Sequence, residues 1–157
     1  MADAATMTLS AVMLPDEIAV TLSSLTFAYT PADGDDKWFY GLVNVRTSSA
    51  DLISGNFLSK AAGTSSASGT AAIATGDKVK FLFIKNTATT DGSTGSNESV
   101  YICLDGGTAA YNLGDALEIG TGESWYGKLT NTTVGNLHAV TGDSNGSSGG
   151  EANVQCI

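Results

Sequence analysis

Ser99–Val140 reads SVYICLDGGTAAYNLGDALEIGTGESWYGKLTNTTVGNLHAV, and this stretch decides the fold class. Val100–Leu104 is a compact run of apolar and β-favouring residues that ends in Asp105-Gly106-Gly107. Short apolar runs then recur every eight to twelve residues, divided by Gly, Asp, Asn and Thr. Turn residues at that spacing mark a sandwich or barrel of short antiparallel strands. The pair Trp125-Tyr126 is expected near the centre of that sandwich.

The same pattern extends outward in both directions. Lys78–Thr87 (KVKFLFIKNT) is the most apolar run, and its Val, Phe and Ile favour strand over helix. Glu98–Leu104 is expected to pair with it as a hairpin. Lys37–Thr47 is apolar on both parities, which suits a central strand covered on each side. Leu117–Ile119, Ser124–Leu129, Asn136–Thr141 and Glu151–Ile157 complete the set, with Asp51–Leu58 a weaker strand or turn. In Glu17–Thr30, Ile18, Val20 and Leu22 alternate on one parity, and Leu25, Phe27 and Tyr29 on the other. The switch at Ser23-Ser24 predicts a β-bulge. No stretch carries a 3.6-residue apolar stripe. The expectation is an all-β, antiparallel β-sandwich of eight or nine strands with little or no helix.

Length and composition bound the rest. A chain of 157 residues is expected to form one domain with its own core, over 17–157, preceded by an N-terminal arm or first strand over 1–16. Charged residues make up 15%, below the usual value of about 25%, and Ser, Thr, Gly and Ala supply the polarity instead. The net charge of −9, with seven scattered Lys and Arg, argues against nucleic acid and anionic membranes as partners. No basic segment followed by an apolar run marks a secretory signal near Met1. No run reaches the ~18 apolar residues of a membrane helix. Cys103 and Cys156 each sit in an apolar strand pattern, so both are expected as buried thiols.

Candidate chemistry is sparse. His138 is the only histidine, and a triad would pair it with Ser124; but Gly122-Glu123-Ser124 lacks the closing glycine of a nucleophile elbow, because Tyr126 stands there. Asp33, Asp35 and Asp36, or Asp91, Asn97 and Glu98, offer oxygen ligands for calcium, although turn chemistry explains Asp-Gly pairs equally well. Glu98, Asp105, Glu118 and Glu123 show no spacing that pairs two carboxylates for glycoside hydrolysis. No catalytic, cofactor or metal residue is assigned. Ser59–Thr75 (SKAAGTSSASGTAAIAT) is read as a long loop. The residues chosen as interface candidates are Leu9, Val12, Met13, Leu14, Trp38, Tyr40, Ile73, Trp125 and Tyr126.

Three stretches carry a resemblance: LPDEIAVTLSSLTFAYT (14–30), VYICLDGGTAAYNLGDALEIGTGESWYG (100–127) and NLHAVTG with GEANVQCI (136–142 and 150–157). Together they resemble small all-β virion structural proteins of tailed bacteriophages, in particular capsid decoration, or cement, proteins with a jelly-roll-like sandwich. The resemblance implies no enzyme activity and no cofactor. It implies binding to the major capsid protein on the virion surface, assembly in the host cytoplasm, and a homo-oligomer, with a trimer favoured. A carbohydrate-binding sandwich on a phage tail or surface fibre is the alternative.

Overall fold

The structure, a computed structural model, describes residues 5–13, 20–29, 38–57, 72–142 and 150–157, the first two spans as strand backbone and register. Contacts divide the chain into two compact units, Met1–Lys37 and Trp38–Ile157. Ala5–Met13, within the stretch expected as an N-terminal arm or first strand, is a strand that pairs with its successor.

In the first unit, β1 (Ala5–Met13) and β2 (Val20–Tyr29) form a two-stranded antiparallel ribbon. Its register runs from Ala5 opposite Tyr29 to Leu9 opposite Leu25, then resumes with Ala11 opposite Leu22. Ser10 therefore faces both Ser23 and Ser24, which puts a bulge where the parity switch predicts one.

Among its described residues, the second unit holds eight strands in two antiparallel sheets. They are β3 (Gly41–Val45), β4 (Ala50–Asp51), β5 (Phe81–Asn86), β6 (Ser99–Cys103), β7 (Leu117–Ile119), β8 (Ser124–Lys128), β9 (His138–Gly142) and β10 (Ala152–Cys156). One sheet has the order β3-β10-β5-β8, the other β4-β9-β6-β7. Pairing is nested: the first strand of the unit joins the eighth, the second the seventh, the third the sixth and the fourth the fifth. The only helix among the described residues is one 3-10 turn at Val134–Asn136.

Alternation explains which side chains meet between the sheets. Val45, Leu82, Ile84, Val154 and Cys156 point inward from one sheet; Val100, Ile102, Ile119 and Ala139 do so from the other. Leu52, Val134 and Leu137 close the ends of this core. Burying such a side chain contributes about 1.5–3 kcal/mol.

Three expectations are corrected here. β6 does not form a hairpin with β5 but lies in the opposite sheet, between β9 and β7. β3 is an edge strand with Leu42 52% exposed, so it is not central. β8 is also an edge strand, which moves Trp125 and Tyr126 away from the centre. The strand covered on both faces is β6, whose outward Tyr101 and Cys103 are as buried as its inward Val100 and Ile102.

That second covering layer comes from the chain between β6 and β7. Residues 104–116 fold back over the outer face of their sheet, where Ala109 and Ala116 pack with Tyr101, Cys103 and Val140. Tyr111 meets Tyr101 edge-on at a centroid distance of 6.4 Å. Gly142 makes room for it, since a Cβ there would lie 3.0 Å from Tyr111 Cβ.

At the end of β5 a polar residue joins the two sheets. Asn86 is fully buried. Its Nδ2 donates to the carbonyls of Glu98 (2.8 Å) and Ile119 (3.3 Å), and its Oδ1 accepts from the Ala88 amide (3.0 Å). Replacing it by Leu or Ala leaves two buried backbone acceptors and one donor without this partner. Both Asn86→Leu and Asn86→Ala should lower unfolding free energy by about 2–4 kcal/mol, read from urea denaturation. Asn86→Asp should be no better, because Asp has no donor for the two carbonyls.

Candidate binding surface

The chemical candidates resolve into structural roles. Ser124 lies on β8 and His138 on β9, in opposite sheets. Both ring nitrogens of His138 are engaged elsewhere: Nδ1 lies 2.7 Å from the Gly107 carbonyl oxygen and Nε2 lies 3.2 Å from Asp51 Oδ1. A histidine held this way has no nitrogen left to activate a serine. Its contact pins the covering segment, together with Ser49 Oγ accepting from the Ala109 amide and the Asn136 carbonyl accepting from Gly106.

Several carboxylates are similarly committed, whereas Glu98 Oε2 is buried with no hydrogen-bond partner among the described residues. Asp91 accepts from the amide of Thr94 first, then from the Ser93 amide and the Thr94 hydroxyl, which hold its pKa below the usual carboxylate range. This is an Asx turn. Glu118 accepts from the Tyr101 hydroxyl, and Glu123 from the Gly120 amide. No three His, Cys, Asp or Glu side chains converge as a metal group among the described residues. Asp33, Asp35 and Asp36 lie outside the described residues.

Asp105 is the most connected turn carboxylate. It accepts from the Cys103 thiol at 2.7 Å and from the Gly107 amide at 2.9 Å. These bonds, the thiol's first, hold its pKa below the ordinary value. Cys103 is pushed upward by burial first and by Asp105 second; burial alone pushes Cys156 up to about 12. The two thiols are free, and they occupy different clusters, Cys103 under the covering segment and Cys156 between the sheets.

The interface candidates separate by strand parity. Trp125 faces inward, paired with Ile84, and packs on the core across Gly127, where a Cβ would lie 2.7 Å from its ring. Tyr126 is half-buried and sits opposite Phe83 on the outer face. Ile73 packs against the core and hydrogen-bonds through its amide to the Gly55 carbonyl, so the end of the expected 59–75 loop is structured; residues 58–71 lie outside the described residues. Trp38 is half-buried, with Nε1 lacking a partner among the described residues, and Tyr40 is 44% exposed. Leu9, Val12 and Met13 are on β1, with Leu9 and Met13 on one face and Val12 on the other; Leu14 lies outside the described residues.

Sequence reasoning missed an open cleft of about 520 Å³ beside β3 and β4. Its lining includes Asn44, Arg46, Asp51 and Glu151. Asn44 Oδ1 accepts from Arg46 Nε at 3.0 Å, and Glu151 Oε1 lies 3.3 Å from the same nitrogen. Asn44 Nδ2 in turn donates to Glu151 Oε2 and Asn153 Oδ1. Asn44 and Glu151 lie 107 positions apart, so nothing local announces their meeting. Among the described residues no helix is long and apolar enough to cross a membrane.

No protein-family model matches the chain, and no curated protein or solved structure is significantly similar to it.

Two measurements check this arrangement. Neither thiol should label with a maleimide at pH 8 in the native protein, while both label in urea. For Asp105, a folded pKa below the unfolded value means its contribution is full above about 3.9 and is lost as pH falls through the folded value. The stability difference between wild type and Asp105→Asn should therefore be largest near neutrality and vanish in acid, in denaturation curves taken from pH 7 downward.

Proposed function

We propose that this protein is a non-enzymatic structural protein of a tailed-phage virion that binds the capsid surface and stabilises it, as a decoration or cement protein. The observation that carries this reading is the nested pairing of the eight strands. One long antiparallel ribbon, folded over on itself, gives that order, and we read it as the jelly-roll wrapping common to viral capsid and lectin domains. The commitment of His138, Asp91, Asp105, Glu118 and Glu123 to turns and packing supports a binding role over a catalytic one. The partner is the major capsid protein, and a homo-oligomer, a trimer by resemblance, multiplies modest contacts into tight binding.

A second reading draws on the cleft beside Arg46. Fixed amide, guanidinium and carboxylate groups are the kind of donors and acceptors that orient sugar hydroxyls. In that case the protein is a carbohydrate-binding sandwich of a tail or surface fibre.

The two readings separate in one comparison. Mixed with undecorated heads, the purified protein should sediment with them; failure to do so overturns the capsid reading. An Arg46→Ala variant should bind heads as wild type does, whereas a glycan-array signal that Arg46→Ala abolishes, with no head binding, establishes the second reading.

A further inference from the structure

An edge strand leaves half of its backbone amides and carbonyls without a partner. Another chain can add to it unless the edge is short, charged or bent. The two sheets of the second unit have four edges, β3, β4, β7 and β8. β4 and β7 have only two and three residues, and β8 carries Lys128. β3 lacks such protection. Its five residues, Gly-Leu-Val-Asn-Val, include no charge and no proline, and its register against β10 runs unbroken from Gly41 to Val45. Among the described residues no strand pairs with its other side, and the open cleft runs along Val43, Asn44 and Val45. Leu42 is 52% exposed and the preceding Tyr40 44%.

Hydrogen bonding decides which groups of β3 point outward. Successive residues of an antiparallel strand bond alternately to one side and the other. Asn153 bonds through its amide and carbonyl to Thr89 and Thr87, and Ile157 does so to Phe83, all on the β5 side. Ala152, Val154 and Cys156 therefore turn toward β3, opposite Val45, Val43 and Gly41. Leu42 and Asn44 are left aiming their amides and carbonyls away from the sheet. The Arg46 carbonyl keeps the same alternation, accepting from Thr141 of the other sheet.

A second copy of β3 fits this edge. Turned about a two-fold axis through Val43, it sets Leu42 opposite Asn44 of the second copy, and Asn44 opposite Leu42 of the second copy. Each of the two pairs exchanges two hydrogen bonds, so all the outward amides and carbonyls of Leu42 and Asn44 are used. The side chains agree with this register. On the inner face Val43 meets Val43 of the second copy and Gly41 meets Val45, which extends the apolar seam. On the outer face Tyr40 comes opposite Arg46, an aromatic ring against a guanidinium. Arg46, the charged residue next to β3 in the chain, is thus kept away from its own copy, and the edge itself adds no charge to a protein of net charge −9.

We infer that β3 is a self-docking edge, along which two copies of this chain join antiparallel into one continuous eight-stranded sheet. A two-fold contact closes at two copies. It is separate from the threefold assembly of the proposed function and does not rest on the capsid reading.

Sedimentation velocity of the full chain tests it, between about 5 μM and about 500 μM, where so small an interface is part-formed. The sedimentation coefficient should rise with concentration toward that of a dimer. Leu42→Pro removes an outward amide without touching the ladder to β10. With two of the four bonds lost, it should weaken association at least about tenfold. Leu42→Thr keeps the amide and should stay within about threefold of wild type. Tryptophan fluorescence in urea checks that both variants fold. A cysteine pair reads the register directly and does not depend on the proline variant. Val43→Cys sits on the axis and should form a disulfide-linked dimer under mild oxidation, since opposed residues there bring their Cβ atoms within disulfide reach. Tyr40→Cys is the more exposed position but lies far from its own copy, and should not cross-link. A wild type that stays monomeric throughout, or that closes at three copies, overturns the inference. So does cross-linking of Tyr40→Cys in preference to Val43→Cys, or a folded Leu42→Pro that associates as wild type does.

Discussion

The side-chain amide of Asn86 bridges the two sheets at the point where the chain crosses between them. Buried backbone carbonyls at a seam have no strand neighbour on one side and lose water on the other, so each needs a donor. Asn86 supplies two from one side chain, to Glu98 ahead of β6 and to the end of β7, while its own strand pairs with β10. Its carbonyl oxygen holds Ala88 in the left-handed region, at φ 59°, where an alanine is strained and the chain reverses. Beyond it, the Thr87 amide and the Asn153 carbonyl, then the Asn153 amide and the Thr89 carbonyl, tie the turn to β10. The hydrophobic core requires two sheets at a fixed spacing; this polar knot is one of the places where the spacing is set. A second seam lies at the far end of β3, where the Arg46 carbonyl accepts from Thr141 of β9.

Strand positions were legible in the sequence because burial leaves a period-two signature in each strand separately. Leu82 and Ile84, or Val100 and Ile102, announce themselves this way. The bulge at Ser23-Ser24 was legible for the same reason, since a parity change has few other causes. Partner choice was not. The pairing of β6 with β9 rather than β5 depends on which strands the whole chain brings together, and local periodicity carries no record of it. Asn86 was equally hidden, because an asparagine before a threonine at a strand end reads as ordinary turn chemistry. Double covering was expected of Lys37–Thr47, whose apolar residues stay partly exposed on an edge; the apolar run of β6 is the one covered on both faces.

The candidate residues divide along the same line. Aromatic pairs in a strand must face opposite ways, and Trp125 and Tyr126 do. His138 reads in sequence as a lone strand histidine; its role in pinning the covering segment through Gly107 requires a contact across 31 residues. The cleft at Arg46 assembles from both ends of the second unit, so only three-dimensional proximity reveals it.

Nested pairing also governs when this fold can form. β10 lies between β3 and β5, in the interior of its sheet, and both neighbours precede it in the chain. On a ribosome, β3 and β5 emerge first and have no strand between them. Until β10 follows, their inward faces, Val43, Val45, Leu82 and Ile84, remain open to solvent and to other nascent chains. The sheet therefore closes only after its last strand has been made, through contacts between residues more than a hundred positions apart, such as Val45 with Ala152. Chains built on such distant contacts fold slowly, on the order of milliseconds to seconds, and are most exposed to aggregation in that interval.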